Sequence, residues 1–156
     1  MKTIARGLAT SGPIGYLPAS GTWATLVTAL VLWRCLPLQG PRSVYIFCWL
    51  FLTILSFNVI KQALVTFDRF TSDPSEIVLD EVIGFLSIFA LLPPVRVTPV
   101  VIGVAFVFFR VLDITKPFGI RRCEWLFGAW GVMVDDIVAA LFAALLVYCG
   151  MLGGIW

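Results

Sequence analysis

Five carboxylates, Asp80, Glu81, Asp113, Asp135 and Asp136, stand at the ends of long apolar runs in this 156-residue chain, and Arg110 and Lys116 stand among them. Histidine is absent, and the four cysteines (Cys35, Cys48, Cys123 and Cys149) show no C-x-x-C spacing. An oxygen-rich set of this kind suits a hard cation, Mg²⁺ or Mn²⁺, better than zinc or copper. Mg²⁺ typically shares a few carboxylates with the phosphate oxygens of a substrate, and Arg110 and Lys116 carry the charge a phosphate would need.

Other routes to phosphate chemistry are closed by inspection. No cysteine is followed by an arginine six positions on, no D-x-D or G-x-x-x-x-G-K-[ST] motif is present, and no histidine exists to carry a phosphoryl group. What remains for hydrolysis is water activated by a metal ion. The cysteines read as small apolar fillers. A formal charge of +2, with no basic cluster longer than Arg121-Arg122, argues against nucleic acid as a partner.

The elements that must hold these residues are apolar. Hydrophobic residues make up 60% of the chain and charged residues 13%, too little charge to cover a water-facing surface. The apolar runs are continuous instead of alternating, so the reading is an all-α, polytopic membrane bundle rather than a β-barrel. One membrane-embedded domain is expected over 1–156, with about five transmembrane or membrane-embedded helices. They fall near Thr22 to Leu38, Val44 to Ile60, Ile77 to Leu92, Thr98 to Ile114 and Val132 to Leu152. Pro37, Gly40 and Pro41, then Asp73-Pro74, Pro93-Pro94, Pro117 and Gly119, separate them. The third and fourth are short for a full span and also fit a tight or partly re-entrant hairpin. Lys2 and Arg6 precede a Gly/Pro/Ser-rich stretch without a cleavage site, which reads as a retained N-terminus.

Counting Lys and Arg in the connectors favours an N-terminus inside, with Lys2, Arg6, Lys61, Arg69, Lys116, Arg121 and Arg122 on the cytoplasmic side and Arg34, Arg42 and Arg96 outside. All five carboxylates then fall at one level near the cytoplasmic face. Acids in the first turn of a helix are explained by its dipole alone, whereas Asp113 at a helix end is not. Arg110, Asp113 and Lys116 succeed one another at spacings of three along one helix face, so Arg110 and Asp113 also fit a simple ion pair. Asp73, Pro74 and Glu76 read as a helix start, and Glu76 shares a face with Asp80. Gly21 and Thr22 open the first apolar helix, where free N–H groups suit a phosphate and a threonine also suits a cap. Asp135 and Asp136 diverge by about 100° on a helix, so Asp136 is favoured to touch a metal and Asp135 to bridge to a neighbouring helix.

The blocks LPASGTWATL, IVLDEVIGF, FFRVLDITKPFGI and GAWGVMVDDIVAA, in this order over nearly the whole chain, resemble the four motifs of the A-type phosphatidylglycerophosphatases. The resemblance implies a Mg²⁺-dependent, multi-pass enzyme of the bacterial inner membrane that converts phosphatidylglycerophosphate to phosphatidylglycerol and phosphate, its active site facing the cytoplasm. By motif position it implies Asp80, Glu81, Asp113 and Asp136 as catalytic, these four with Asp135 as metal ligands, and Arg110, Lys116 and Thr22 as substrate contacts. Ser20, Ala24 and Ala129 stand where the family carries Pro, Gly and Gly, and histidines usual near the second and fourth motifs are missing. Proton handling therefore moves to a carboxylate or to water on the metal.

Two rival classes fit the same acids. An ion-coupled transporter would spread polar groups over successive depths and show an inverted repeat, and neither is evident here. A structural membrane subunit, with charge pairs for assembly, would need no Mg²⁺.

Overall fold

The computed structural model describes residues 2–35, 41–67, 75–92, 97–117, 120 and 128–155. Among these it is all-helical: α1 (Lys2–Ala9), a 3₁₀ turn (Ile14–Tyr16), α2 (Ser20–Cys35), α3 (Arg42–Phe67), α4 (Leu79–Leu91), α5 (Pro99–Thr115) and α6 (Ala129–Leu152). Helices α2 to α6 correspond to the five expected segments. The short α1 is additional, with Ala5 and Ala9 buried and Ile4 and Leu8 exposed. The expected breakers Pro37, Gly40, Pro93-Pro94 and Gly119, the proposed cap Asp73-Pro74, and Arg69, Arg96, Arg121 and Arg122 lie outside the described residues.

Local chemistry sets several boundaries. The Val101 N–H donates to the Thr98 hydroxyl oxygen at 3.2 Å, and Pro99 occupies the first turn of α5. Lys116 ends that helix in the left-handed region (φ 44°), its N–H reaching the Leu112 carbonyl at 2.8 Å, and Pro117 prevents continuation. Helix α4 begins at Leu79, not near Ile77, and Val78 gives it no side-chain cap. Glu76 therefore lies in the preceding turn and shares no helical face with Asp80. Helix α3 runs to Phe67, past the end expected from hydropathy: exposed Lys61 and Gln62 break the apolar run, while Ile60, Ala63 and Leu64 keep the inner face buried.

Among the described residues, α3 and α6 are the helices long and apolar enough to cross a membrane. Helices α2, α4 and α5, with 16, 13 and 17 residues, reach about 20–26 Å, short of a hydrocarbon core of about 30 Å. Of the five expected transmembrane or membrane-embedded helices, two are full spans by this measure. Nor do α4 and α5 form a self-contained hairpin, because α4 packs chiefly on α6. Ala139, Ala140, Ala143 and Ala144 line the inner side of α6 and let Phe85, Ile88 and Phe109 close onto it. Cys48 and Cys149 are free and exposed.

Contacts fix the direction of each helix. Arg42 donates to the Leu91 carbonyl at 3.4 Å and the Trp49 indole to the Ser87 hydroxyl at 2.8 Å, so α3 runs antiparallel to α4. At the other end of α3, Ile60, Ala63 and Leu64 pack with Ala9, Ile77 and Ile83, and the Val78 N–H donates to the Ala9 carbonyl at 3.0 Å. One end of the bundle consequently gathers α1, the starts of α2, α4 and α6, and the ends of α3 and α5.

Candidate active site

That end holds Asp80, Glu81, Asp113, Asp135 and Asp136. Asp80 and Glu81 lie in the first turn of α4, and Asp136 in the second turn of α6. One ligand oxygen from each comes within 4.8 Å of the other two. Asp80 and Asp136 are buried and Glu81 is partly exposed, so Glu81 stands at the rim of the group. Among the described residues no hydrogen-bond donor reaches Oε2 of Glu81 or Oδ2 of Asp136, although both atoms are buried. Burying a carboxylate without a compensating partner is expensive, so a divalent cation fits this donor set.

The remaining two acids have different partners. Asp113 Oδ2 is 2.7 Å from Arg110 Nη1, one turn earlier on α5. Asp135, nearly fully buried, forms an ion pair with Lys116, tying the end of α5 to the start of α6. On the helix of α6 the two neighbouring acids therefore diverge: Asp136 turns to Asp80 and Glu81, and Asp135 turns to Lys116.

Arg110 has donors to spare. Among the described residues its Nε meets no acceptor, and Nη1, though close enough to Asp113 for an ion pair, is not angled for a hydrogen bond. A guanidinium held this way carries directed N–H groups for an incoming anion.

Two glycines allow this crowding. A Cβ at Gly21 would stand 1.8 Å from Glu81 Oε1 and 3.2 Å from Arg110 Nη1, so the start of α2 lies directly on the carboxylate and the guanidinium. A Cβ at Gly84 would stand 2.9 Å from both the Asp136 Cβ and the Phe109 ring, which sets how closely α4, α5 and α6 meet under the acids. Gly21 is read from sequence only for its N–H, and Gly84 is missed there. The signal for Gly84 is its place four residues after Asp80, on the same helix face. Ala19 (φ 55°) turns the chain into α2, and the Ser20 hydroxyl donates to the Ser75 carbonyl at 2.8 Å, joining α2 to the segment before α4. Thr22 is inside the first turn rather than at its cap. Its N–H donates to the Ala19 carbonyl at 2.9 Å, so the hydroxyl is what it can offer a ligand.

A helical bundle presenting clustered carboxylates beside a guanidinium with free donors, both at one end, defines a protein equipped to handle a phosphate ester. Residues 7–151 match the family described as Phosphatidylglycerophosphatase A, and the chain belongs to that family. It is 33% identical over 132 residues to the phosphatidylglycerophosphatase A of Haemophilus influenzae, covering 84% of this chain and 78% of that one. It is 31% identical over 135 residues to a Bacteroides thetaiotaomicron protein provisionally named a phosphatidylinositol-3-phosphatase, covering 85% and 84%. The phosphatidylglycerophosphatase A of Escherichia coli is 39% identical over 82 residues, 52% of this chain and 46% of that one. No solved structure matches the chain. The protein is a lipid phosphatase.

Proposed function

We propose that this chain hydrolyses the phosphomonoester of phosphatidylglycerophosphate to phosphatidylglycerol and phosphate, using Mg²⁺, at the cytoplasmic face of a bacterial inner membrane. The observation that carries this reading is the Asp80, Glu81 and Asp136 group, in which buried oxygens of Glu81 and Asp136 meet no donor among the described residues, beside Arg110, whose Nε and Nη1 meet no acceptor among them. A cation site and an anion site in contact are what a metal-assisted phosphatase requires.

Asp80, Glu81 and Asp136 would hold Mg²⁺, which when bound offsets charge on the phosphoryl oxygens and makes water a better nucleophile. Arg110 Nε and Nη1 bind and orient two phosphoryl oxygens, and Asp113 keeps the guanidinium aimed. Gly21, having no side chain, lets the start of α2 close directly onto Glu81 and Arg110. Glu81, at the rim, is placed to orient the attacking water and accept its proton. Lys116 adds positive charge at the same level while steering Asp135 to one side, and the Thr22 hydroxyl is available to a phosphoryl oxygen.

In this reading α3 and α6 cross the bilayer with the shorter helices embedded beside them. Exposed Phe47, Phe51, Ile54 and Leu55 on α3 suit lipid rather than water. Lys2, Arg6, Lys61 and Lys116 lie at the site end against Arg34 and Arg42 at the other, which supports a cytoplasmic site. The interior beyond the acids is built from Phe85, Ile88, Ala140, Ala143 and Val147, which speaks against an ion pathway. The test is phosphate release by the purified protein from phosphatidylglycerophosphate and from phosphatidylinositol 3-phosphate, with and without chelator. Chelator-sensitive release, faster from the first lipid, supports the reading; release from the second alone overturns the substrate assignment.

A further inference from the structure

The site describes how a phosphate is held and leaves open where the rest of a lipid lies. Helices α2 and α5 meet the site from opposite directions, α2 starting at Gly21 and α5 approaching its end at Arg110, and these two residues face each other. Followed away from that contact, the pair encloses a hollow of about 220 Å³. Leu26, Leu30 and Trp33 wall one side, and Ile102, Gly103 and Phe106 the other. Within it no charged side chain appears. Thr25 and Thr28, the polar residues on this stretch of α2, fold their hydroxyls back onto the Gly21 and Ala24 carbonyls at 2.7 and 2.8 Å.

Resting on the lipid-phosphatase reading above, we infer that this α2/α5 groove seats one acyl chain of the substrate, whose phosphate lies at the Arg110 end of the pair. Three observations favour a lipid chain over a protein partner. The two helices that wall the groove carry Gly21 and Arg110 at their site ends, so one amphiphilic molecule lying along them can place its polar end at the site. From Gly21 to Trp33 is twelve residues (33 − 21), about 18 Å of helix, against about 15 Å for one leaflet of hydrocarbon. Finally, a Cβ at Gly103 would meet nothing within 4 Å, so the groove is open where a side chain would otherwise fill it. The hollow between α3 and α6, lined by Phe57, Met133 and Ile137, is smaller, about 150 Å³, and is the competing seat for the chain.

The groove makes Gly103 a specificity-determining position: a larger side chain there would displace part of the acyl chain while leaving the phosphate end intact. Two measurements test this. First, a non-hydrolysable phosphonate analogue of the substrate, carrying a diazirine midway along one acyl chain, is photolysed with the wild-type protein in micelles, and the labelled peptides are mapped. Labelling in 26–33 and 99–106 that exceeds labelling by the same lipid lacking its phosphonate is expected. Equal labelling by the two lipids, or labelling concentrated on α3 and α6, overturns the groove. Second, Gly103→Phe is assayed on long-chain and six-carbon-chain lipid phosphomonoesters. The long-to-short ratio of kcat/KM should fall about tenfold, the equivalent of roughly two buried methylenes. An unchanged ratio in the folded variant overturns the proposal. Phosphonate-dependent labelling in a protein that releases no phosphate would retain the groove and sink the phosphatase reading instead, whereas hydrolysis with labelling elsewhere would do the reverse.

Discussion

Gly21 and Glu81 occupy adjoining space so tightly that the first carbon of any side chain at position 21 would stand 1.8 Å from a carboxylate oxygen, and Glu81 would have to swing away. The start of α2 is thereby a wall of the site, and the placement of Glu81 depends on a hydrogen atom on a different helix. Gly21→Ala should lower kcat/KM for phosphate release by about 10²-fold, the scale expected when a reacting group moves by about 1 Å. Gly7→Ala in α1, where nothing lies within 4 Å of the new carbon, should retain activity and melt no lower than wild type. Equal behaviour of the two variants would show that the Gly21 contact has no bearing on catalysis.

The Lys116 and Asp135 ion pair joins α5 to α6 with both charges largely withdrawn from water. Lys116→Met leaves Asp135 buried without its cation, a loss on the order of 3–5 kcal/mol in stability for such a removal. Lys116→Met combined with Asp135→Leu removes both charges and should recover much of that loss. Denaturation of the four proteins in one detergent forms a double-mutant cycle; additive losses would mean the pair is not coupled.

Arg110 is placed to bind through directed donors, which a lysine cannot reproduce. Arg110→Lys keeps the charge next to Asp113 and should still reduce kcat/KM by about 10²-fold, the usual cost of one oriented donor on a developing anion. Activity near wild type would show that charge alone suffices and that the fork geometry at Nε and Nη1 is incidental.

The Trp49 indole and Ser87 hydroxyl connect α3 to α4 in the middle of the bundle. Ser87→Ala leaves the indole N–H without its acceptor, and the stability lost should be about 1–3 kcal/mol. Thermal unfolding with kcat measured in parallel checks this: stability should fall while kcat at low temperature stays close to wild type. A fall in kcat without a fall in stability would place the contact in the catalytic machinery instead.

Much of this arrangement is legible in the residues, for identifiable reasons. Five apolar runs mark α2 to α6 because burial and lipid both demand continuous hydrophobicity. Family membership follows from four spaced motifs, none of which is decisive alone. The eight-residue α1 is illegible to hydropathy, since Lys2 and Arg6 interrupt it and what fixes it is the distant packing of Ala5 and Ala9. That Asp135 and Asp136 diverge follows from the helical repeat, but that Lys116 receives Asp135 depends on where α5 ends. Arg110 and Asp113 present the opposite case: their spacing announces an ion pair, and only the geometry shows that the pair leaves donors of Arg110 unspent. Gly21 is the hardest to read, because a glycine opening a helix has ordinary explanations and the collision it avoids involves a residue sixty positions away (81 − 21).

The central claim is that Asp136, with Asp80 and Glu81, holds the metal on which phosphate release depends. Its most direct test measures phosphate release from phosphatidylglycerophosphate by wild type and Asp136→Asn across a Mg²⁺ titration. The account predicts release that chelator abolishes in the wild type, and a variant at least about 10²-fold slower at every Mg²⁺ concentration. Wild-type rates in Asp136→Asn, or release indifferent to chelator, would contradict it.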